Sequence, residues 1–307
     1  MRIALTGATG TIGAAFADAA KAAGHDLTLF ARNIPEGKRG LGDWHTLDLA
    51  DEADGDTTAQ ALRGADVAVH LAARIDTAAP SDDAARALFE ANVLGSGRFI
   101  RALAKAGVPR MVMASSANIY DPSLTVADEC SAIRPVSRTL YLSSKIAQES
   151  YARELCSGPG ISCAIMRISS VIGTGSDLVS RFAANVVNGE RITLANPDYG
   201  SDCVALGDVV SGLLLAAQGD FAGEYNLSSG VRHTLSEIVA IAAECAGKDA
   251  VVDRTAAGEH ADRGFPAIDC SRLRAKGYSP QPLADVIGAI VAAHGNAASS
   301  GKCGVSA

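Results

Sequence analysis

The chain has 307 residues, 34 of them acidic and 27 basic, for a formal net charge of −7. Hydrophobic residues make up 48% and charged residues 20%, enough for a sizeable core, so disorder as the main state is excluded. The acidic balance lacks the basic face of a nucleic-acid binder, no apolar stretch reaches the ~18 residues of a membrane span, and the opening MRIALTGATG does not read as a signal peptide.

Short apolar runs alternate with longer helical patterns through the first half, the mark of an α/β protein with a parallel sheet and crossover helices. Strands are predicted at Arg2–Thr6, Asp26–Ala31, Trp44–Asp48, Asp66–Leu71, Arg110–Ser115 and Ser162–Ile168. Helices are predicted near Thr11–Ala23, Thr57–Leu62, Asp82–Lys105 and Leu140–Leu155. Runs such as VAVHLAA and RMVMASS are almost continuously apolar, as strands covered on both faces must be. Beyond about residue 170 the pattern loosens. Helices are predicted there at Leu178–Asn188, Val209–Ala217, Leu235–Cys245 and Leu283–Ala293, and short strands at Arg191–Leu194, Glu224–Leu227 and Ala250–Asp253. The expected division is a sheet domain over 1–170, a smaller lobe over 171–294 that packs on the open edge of the sheet and returns some chain to it, and a flexible tail over 295–307.

Seven cysteines (Cys130, Cys156, Cys163, Cys203, Cys245, Cys270, Cys303) form an odd set without a CxxC pair, which reads as reduced thiols in a cytoplasmic protein. His25, His45, His70, His233, His260 and His294 show no ligand spacing such as HExxH, so no metal is expected.

The sharpest motif is TGATGTIG, which carries Gly7, Thr9, Gly10, Thr11, Ile12 and Gly13 from the first strand into the first helix. Gly7 permits a tight turn, Gly10 lets backbone approach a pyrophosphate, and Gly13 allows close packing of helix on strand. The helix N-terminus then offers N–H groups and a partial positive charge to phosphates. An empty glycine turn is the alternative. An acidic residue closing the second strand would select NAD, but LTLFARN holds Ala31 and then Arg32. A guanidinium there can pair with a 2′-phosphate, so NADP is the expected cofactor and NAD the alternative; the plain reading of Arg32 is a solvated surface charge.

Tyr141 and Lys145, in YLSSK, stand four residues apart and so share one helix face. A nearby ammonium lowers a phenol's pKa from about 10, so that Tyr141 can exchange a proton with a substrate oxygen.

With this glycine spacing and Tyr-x-x-x-Lys, the chain resembles the extended branch of the short-chain dehydrogenase/reductase family from residue 1 to about 294. That branch includes nucleotide-sugar epimerases, dehydratases and carbonyl reductases. The resemblance implies a Rossmann-type doubly wound sheet with a smaller C-terminal α/β substrate lobe. It assigns Ser116 to hydrogen-bonding the substrate oxygen, with a strand-end turn hydroxyl as the alternative, and puts Ser115 in the framework or near the nicotinamide. Asp48, followed by Leu49, matches the residue that accepts from the adenine amino group; a helix N-cap is the other reading. Leu71, Ala72 and Ala73 match backbone that passes the cofactor ribose and pyrophosphate. Ile168, Ser170 and Val171, after Arg167, match the loop near the nicotinamide amide. Asn92 matches a residue that supports the active-site backbone, structural or catalytic alike.

Departures from the family pattern bear on the substrate. The 4,6-dehydratases place Asp and Glu where Ala117 and Asn118 stand, which removes their acid–base pair. Ser170 replaces an Asn of nucleotide-sugar enzymes, and Ser201-Asp202 replaces an Arg-Asp segment. Arg263 matches a diphosphate-binding Arg, and Arg181 could supplement it. Three functions follow in order: an NADP(H)-dependent carbonyl reductase or alcohol dehydrogenase, a nucleotide-sugar epimerase that retains its NAD, and a non-enzymatic dinucleotide sensor. The first two act on a small molecule. The family's habit of pairing the two long helices implies a homodimer. Substrate identity stays open, in loops near Asp76–Asp83, Asp121–Thr139 and Asp198–Cys203.

Overall fold

The structure is a computed structural model that describes residues 1–51, 55–75, 80–136, 139–254 and 262–300. Its first half runs β1 (Arg2–Thr6), α1 (Thr11–Ala22), β2 (Asp26–Ala31), β3 (Asp43–Thr46), α2 (Gly55–Leu62), β4 (Val67–His70), α3 (Asp82–Phe89), α4 (Ser96–Ala106), β5 (Arg110–Ser116), β6 (Val126–Ala127), α5 (Thr139–Ser157) and β7 (Ser162–Ile168). The second half runs β8 (Ser170–Ile172), α6 (Leu178–Asn188), β9 (Ile192–Leu194), β10 (Gly200–Ala205), α7 (Leu206–Gln218), β11 (Gly223–Leu227), β12 (Arg232–Thr234), α8 (Leu235–Ala246), β13 (Val252–Arg254), β14 (Ala267–Ile268), α9 (Ser271–Arg274) and α10 (Leu283–Ser300).

Seven parallel strands form the main sheet in the order β11-β7-β5-β4-β1-β2-β3. Their period of two splits each apolar run between two cores. Ile3, Leu5, Leu27, Leu29, Val67 and Val69 meet Phe16 and Ala20 of α1 and Leu213 of α7. The intervening Ala4, Phe30 and Ala68 meet Leu62 of α2, Phe99 and Leu103 of α4 and Ala152 of α5. Each fully buried Leu or Ile contributes about 2 kcal/mol. Helices therefore cover both faces, which is the Rossmann-type doubly wound arrangement. The chain steps from β1 out through β2 and β3, then crosses to β4 on the other side of β1. Ligands of such sheets bind at that switch, outside the carboxyl ends of the strands.

A third core joins Phe182 and Val186 of α6, Ile238 of α8 and Ile287 of α10. Beside it, β8, β10 and β12 form a small sheet, β9 pairs with β13, and β6 pairs with β14. Of these short strands, only β9 and β13 are legible in the sequence. The apolar run Glu224–Leu227 extends to Gly223 as β11 and completes the edge of the main sheet.

Two expected helices differ. The single helix Asp82–Lys105 is interrupted between α3 and α4 by a π-helical stretch, Glu90–Gly95. Two glycines seat it on its neighbours: a Cβ on Gly95 would lie 2.2 Å from Leu49 O, and one on Gly97 would lie 2.4 Å from the Tyr151 ring. At the other end, α10 continues to Ser300 where a tail was expected from residue 295, because its alanines favour helix. The rest of the tail, with Cys303, lies outside the described residues, as do 76–79 and 137–138 of the expected pocket loops. No helix among the described residues is long and apolar enough to cross a membrane.

Candidate active site

The turn after β1 has two glycines that the protein's own packing requires and one that it does not. Gly7 has φ +72°, and a Cβ there would sit 2.7 Å from Ala72 N. A Cβ on Gly13 would sit 2.0 Å from Gly7 O. Gly10 is exposed, and a Cβ there would meet only Gly7 O, at 3.4 Å. Packing within the chain therefore does not require a glycine here. Helix α1 has no side-chain cap at Gly10 and no acidic residue in its first turn, so its positive end is uncompensated. These features fit a dinucleotide pyrophosphate. Thr9 and Thr11 are exposed beside Gly10, and Ile12 packs partly into the core. Across the switch point, Leu71 N donates to Thr6 O (3.3 Å) and Ala72 N to Thr6 Oγ1 (3.1 Å). Ala73 follows, half-buried.

At the end of β2, Ala31 is buried and Arg32 exposed, with no ion pair to Arg32 among the described residues. Asp48 is exposed and turns one carboxylate oxygen onto Ala50 N (3.0 Å), so it shapes a turn rather than capping a helix. Leu49 is buried, its carbonyl accepting from Arg98 Nη2 at 2.6 Å.

Ser116 closes β5, and its Oγ accepts from Asn118 N at 3.2 Å. Tyr141 lies half-buried in the first turn of α5. Lys145 is buried one turn later and brings α5 onto β5: Nζ donates to Ala114 O (2.7 Å) and to Gln148 Oε1 (2.5 Å). Burial pulls the Lys145 amine down to about 8, with the charge of Glu149 acting the other way. The ammonium thus persists at neutral pH and can stabilise a phenolate at Tyr141.

Several sequence-predicted side chains are bound into the framework. Asn92, read from the sequence as support for the active-site backbone, is fully buried: Oδ1 accepts from Arg74 N (2.7 Å), and Nδ2 donates to Arg74 O (3.0 Å) and Ser144 Oγ (2.9 Å). Ser144 in turn donates to Tyr141 O at 2.6 Å, so Asn92 is linked to the first turn of α5, which carries Tyr141. Ser115 donates to Glu149 Oε1 at 2.5 Å. Arg167 lies inside β7, bound to Glu149, Tyr120 Oη and Glu129 O, while Ile168 beside it is buried. Ser170 and Val171 enter β8 opposite Cys203 and Val204. His70 bonds Thr6 Oγ1 and Ser96 Oγ, each at 2.8 Å, and burial drives its imidazole down to about 3. It is a neutral framework residue. Among the described residues no cluster of three or more His, Cys, Asp or Glu could hold a metal ion.

The profile of the NAD dependent epimerase/dehydratase family matches residues 3–228. The chain belongs to that family. It is the extended type of short-chain dehydrogenase/reductase, whose members are NAD(P)-dependent enzymes. An L-arabinose 1-dehydrogenase (NAD(P)(+)) of Haloferax volcanii is 35% identical over 120 residues, 39% of this chain and 42% of that protein. A 3-beta-hydroxysteroid dehydrogenase of Mycolicibacterium neoaurum is 25% identical over 224 residues, 71% of this chain and 61% of that protein. The chain therefore spans less than two thirds of either curated relative. The crystal structure of Thermus thermophilus UDP-glucose 4-epimerase, complexed with NAD, is 26% identical and superposes with a TM-score of 0.76 over 96% of this chain and 99% of that one.

Of the residues expected at the substrate from the sequence, Ala117 is fully buried and Asn118 half-buried. Arg181, on α6, and Arg263 are exposed. Asp202 is buried and accepts from Ser229 N (2.9 Å), Ser229 Oγ (2.8 Å) and Gly230 N (2.9 Å), which makes it a hub of the lobe. Sequence reasoning missed two residues. Arg232 lies against Gly200, where a Cβ would meet its guanidinium carbon at 2.4 Å, and it donates to Phe265 O, Asp198 O and Arg263 O. Gln148 reaches Lys145; its i+3 spacing on one helix face was the available signal.

Proposed function

We propose that this family member is an NADP(H)-dependent oxidoreductase that reduces a carbonyl, or oxidises the matching alcohol, with Tyr141 as general acid and base. The observation that carries the reading is the buried Lys145, fixed to Ala114 O near the end of β5 and one turn after Tyr141. Its charge lowers the cost of phenolate, so Tyr141 can give its proton to the carbonyl oxygen and later recover it. Ser116, at the end of the same strand, orients that oxygen. Gly7, Gly10, Gly13 and the first turn of α1 hold the pyrophosphate, Arg32 the 2′-phosphate, and Asp48 the adenine. The bound nicotinamide supplies the hydride. Residues 171–294 would form most of the substrate lobe, and the helical layer of α4 and α5 a homodimer contact.

A nucleotide-sugar epimerase is the second reading, favoured by the likeness to the Thermus enzyme. It would use the same Tyr141 and Lys145 without net redox. Against it, Ser201 stands where such enzymes tend to carry a cation, and the nearby Arg232 commits its Nε and Nη2 to three backbone carbonyls. Arg181 and Arg263 would then carry the diphosphate. A 4,6-dehydratase is disfavoured because Ala117 and Asn118 supply no acid–base pair.

The test is a fluorescence titration with NADPH and NADH of the parent and of Arg32→Ala, followed by an assay of NADPH oxidation across carbonyl compounds and of UDP-sugar interconversion. Tight NADPH binding that weakens in Arg32→Ala, with NADPH consumed, supports the reductase. NADH preference with sugar interconversion and no net redox overturns it.

A further inference from the structure

We propose that Gln148 is the positioning residue for Lys145, fixing its ammonium beside β5 through an amide that a chain of buried hydrogen bonds has already oriented. The inference rests on the reading of Lys145 as the partner of Tyr141. Gln148 is 1% exposed and follows Lys145 by three residues on α5. Its Oε1 accepts from Lys145 Nζ at 2.5 Å, and its Nε2 donates to Ser96 Oγ at 2.7 Å.

Counting donors shows that this amide has one orientation. Ser96 Oγ gives its single proton to Asn92 O at 2.6 Å, so towards His70 Nε2 (2.8 Å) and Gln148 it can only accept. His70 is therefore protonated on Nε2, and its Nδ1 accepts from Thr6 Oγ1 at 2.8 Å. Thr6 Oγ1 takes the Ala72 N–H at 3.1 Å as its remaining partner. The proton of each hydroxyl and of the imidazole in the chain is thus assigned. Gln148 must turn its nitrogen to Ser96 and its oxygen to Lys145; the reverse would set its NH₂ against the ammonium and its carbonyl oxygen against a hydroxyl with no proton to give. The strand that enters the glycine loop thus specifies, through four side chains, where the Lys145 ammonium stands.

The charged groups around Lys145 do not do this instead. Glu149, on α5, is bound to Arg167 of β7 at 2.8 Å and to Ser115 of β5. His70 of β4 is neutral. Tyr141 lies on α5 itself. β5 contributes the Ala114 carbonyl. Two of the three ammonium protons are held by Ala114 O and Gln148 Oε1.

The test reads Lys145 directly and needs no substrate. The full chain is labelled with lysine carrying carbon-13 at its ε-carbon, the Lys145 resonance is identified by its loss in Lys145→Met, and its titration midpoint is compared across variants. Gln148→Met should lower the midpoint by about one pH unit, the scale of a lost hydrogen bond to a charged group. Ser96→Ala, which frees the amide, should lower it by less, and Gln148→Glu, which keeps an acceptor, should bring it back to or above the parent value. A folded Gln148→Met with the parent midpoint overturns the proposal. If that variant does not fold, an unchanged midpoint in Ser96→Ala overturns it equally. A shifted midpoint in a protein that turns over no carbonyl would leave this proposal standing and remove the reductase reading.

Discussion

Arg167 Nη2 donates to Glu149 Oε2 at 2.8 Å, and this buried ion pair ties the helix of Tyr141 and Lys145 to β7, the strand next to β5. Arg167 Nε also donates to Glu149 Oε1, at 3.1 Å, so the contact is two-pronged. Both side chains are almost inaccessible to water. Arg167→Met would leave the carboxylate with Ser115 and the more distant, solvent-exposed Arg153 (3.8 Å) as its partners, and losing the close counter-ion of a buried charge costs about 3–5 kcal/mol. Urea unfolding should show that loss, with a substantial part recovered in Arg167→Met/Glu149→Met. A single variant within about 1 kcal/mol of the parent would contradict the geometry.

Tyr141→Phe removes the exchangeable proton and leaves the ring. Turnover should fall by about 10³-fold or more, on the scale of general acid–base catalysis, while NADPH affinity stays near the parent value. Steady-state kinetics and the fluorescence titration report the two separately. Near-parent turnover would remove Tyr141 from the catalytic role.

The three glycines of the loop should separate stability from binding. Gly13→Ala sets a Cβ 2.0 Å from Gly7 O, so Tm should drop and cofactor binding should vanish with it. Gly10→Ala meets Gly7 O at an ordinary 3.4 Å, so Tm should stay within a few degrees while NADPH binding weakens at least about 10-fold. Thermal unfolding and titration of both variants decide it; a destabilised Gly10→Ala would mean that this glycine serves the fold alone.

The sheet was legible in the sequence because strands buried on both faces leave unbroken apolar runs, and β1, β2 and β7 appear at the residues expected. The glycine loop and the Tyr141–Lys145 pair were legible because each is a local pattern whose spacing is fixed by a turn or a helix face. What was hidden depends on partners distant in the chain. β8, β10 and β12 are three to six residues long and become strands only by pairing with one another. The π-helical stretch at Asn92 sets Gly95 against Leu49, a contact spanning 46 positions that no helical periodicity reports. The framework readings of Ser115 and Asn92 were available from the family pattern, but their partners Glu149, Arg74 and Ser144, and the buried role of Arg167, were hidden for the same reason, since a motif names a side chain but not the neighbour that claims its hydrogen bonds.

His70 gives a pH signature of folding. Burial first, and the charge of Lys145 second, drive its imidazole down to about 3, whereas in the unfolded chain it titrates near 6.5. Below about pH 6.5 the unfolded state therefore binds a proton that the folded state refuses. The sign follows: His70 removes stability as pH falls from about 6.5 towards about 3, at up to about 1.4 kcal/mol per pH unit, and leaves stability independent of pH above that window. His70→Gln should be less stable than the parent at pH 7, because Thr6 and Ser96 lose a well-placed partner. Its stability should nevertheless decline more slowly between pH 6.5 and pH 4, so the two curves converge on the acid side. Urea unfolding at half-unit steps from pH 4 to 7.5 measures both slopes. Parallel curves would mean that His70 takes up its proton in the folded state, and the Nε2-protonated tautomer that orients Ser96 and Gln148 would then be wrong.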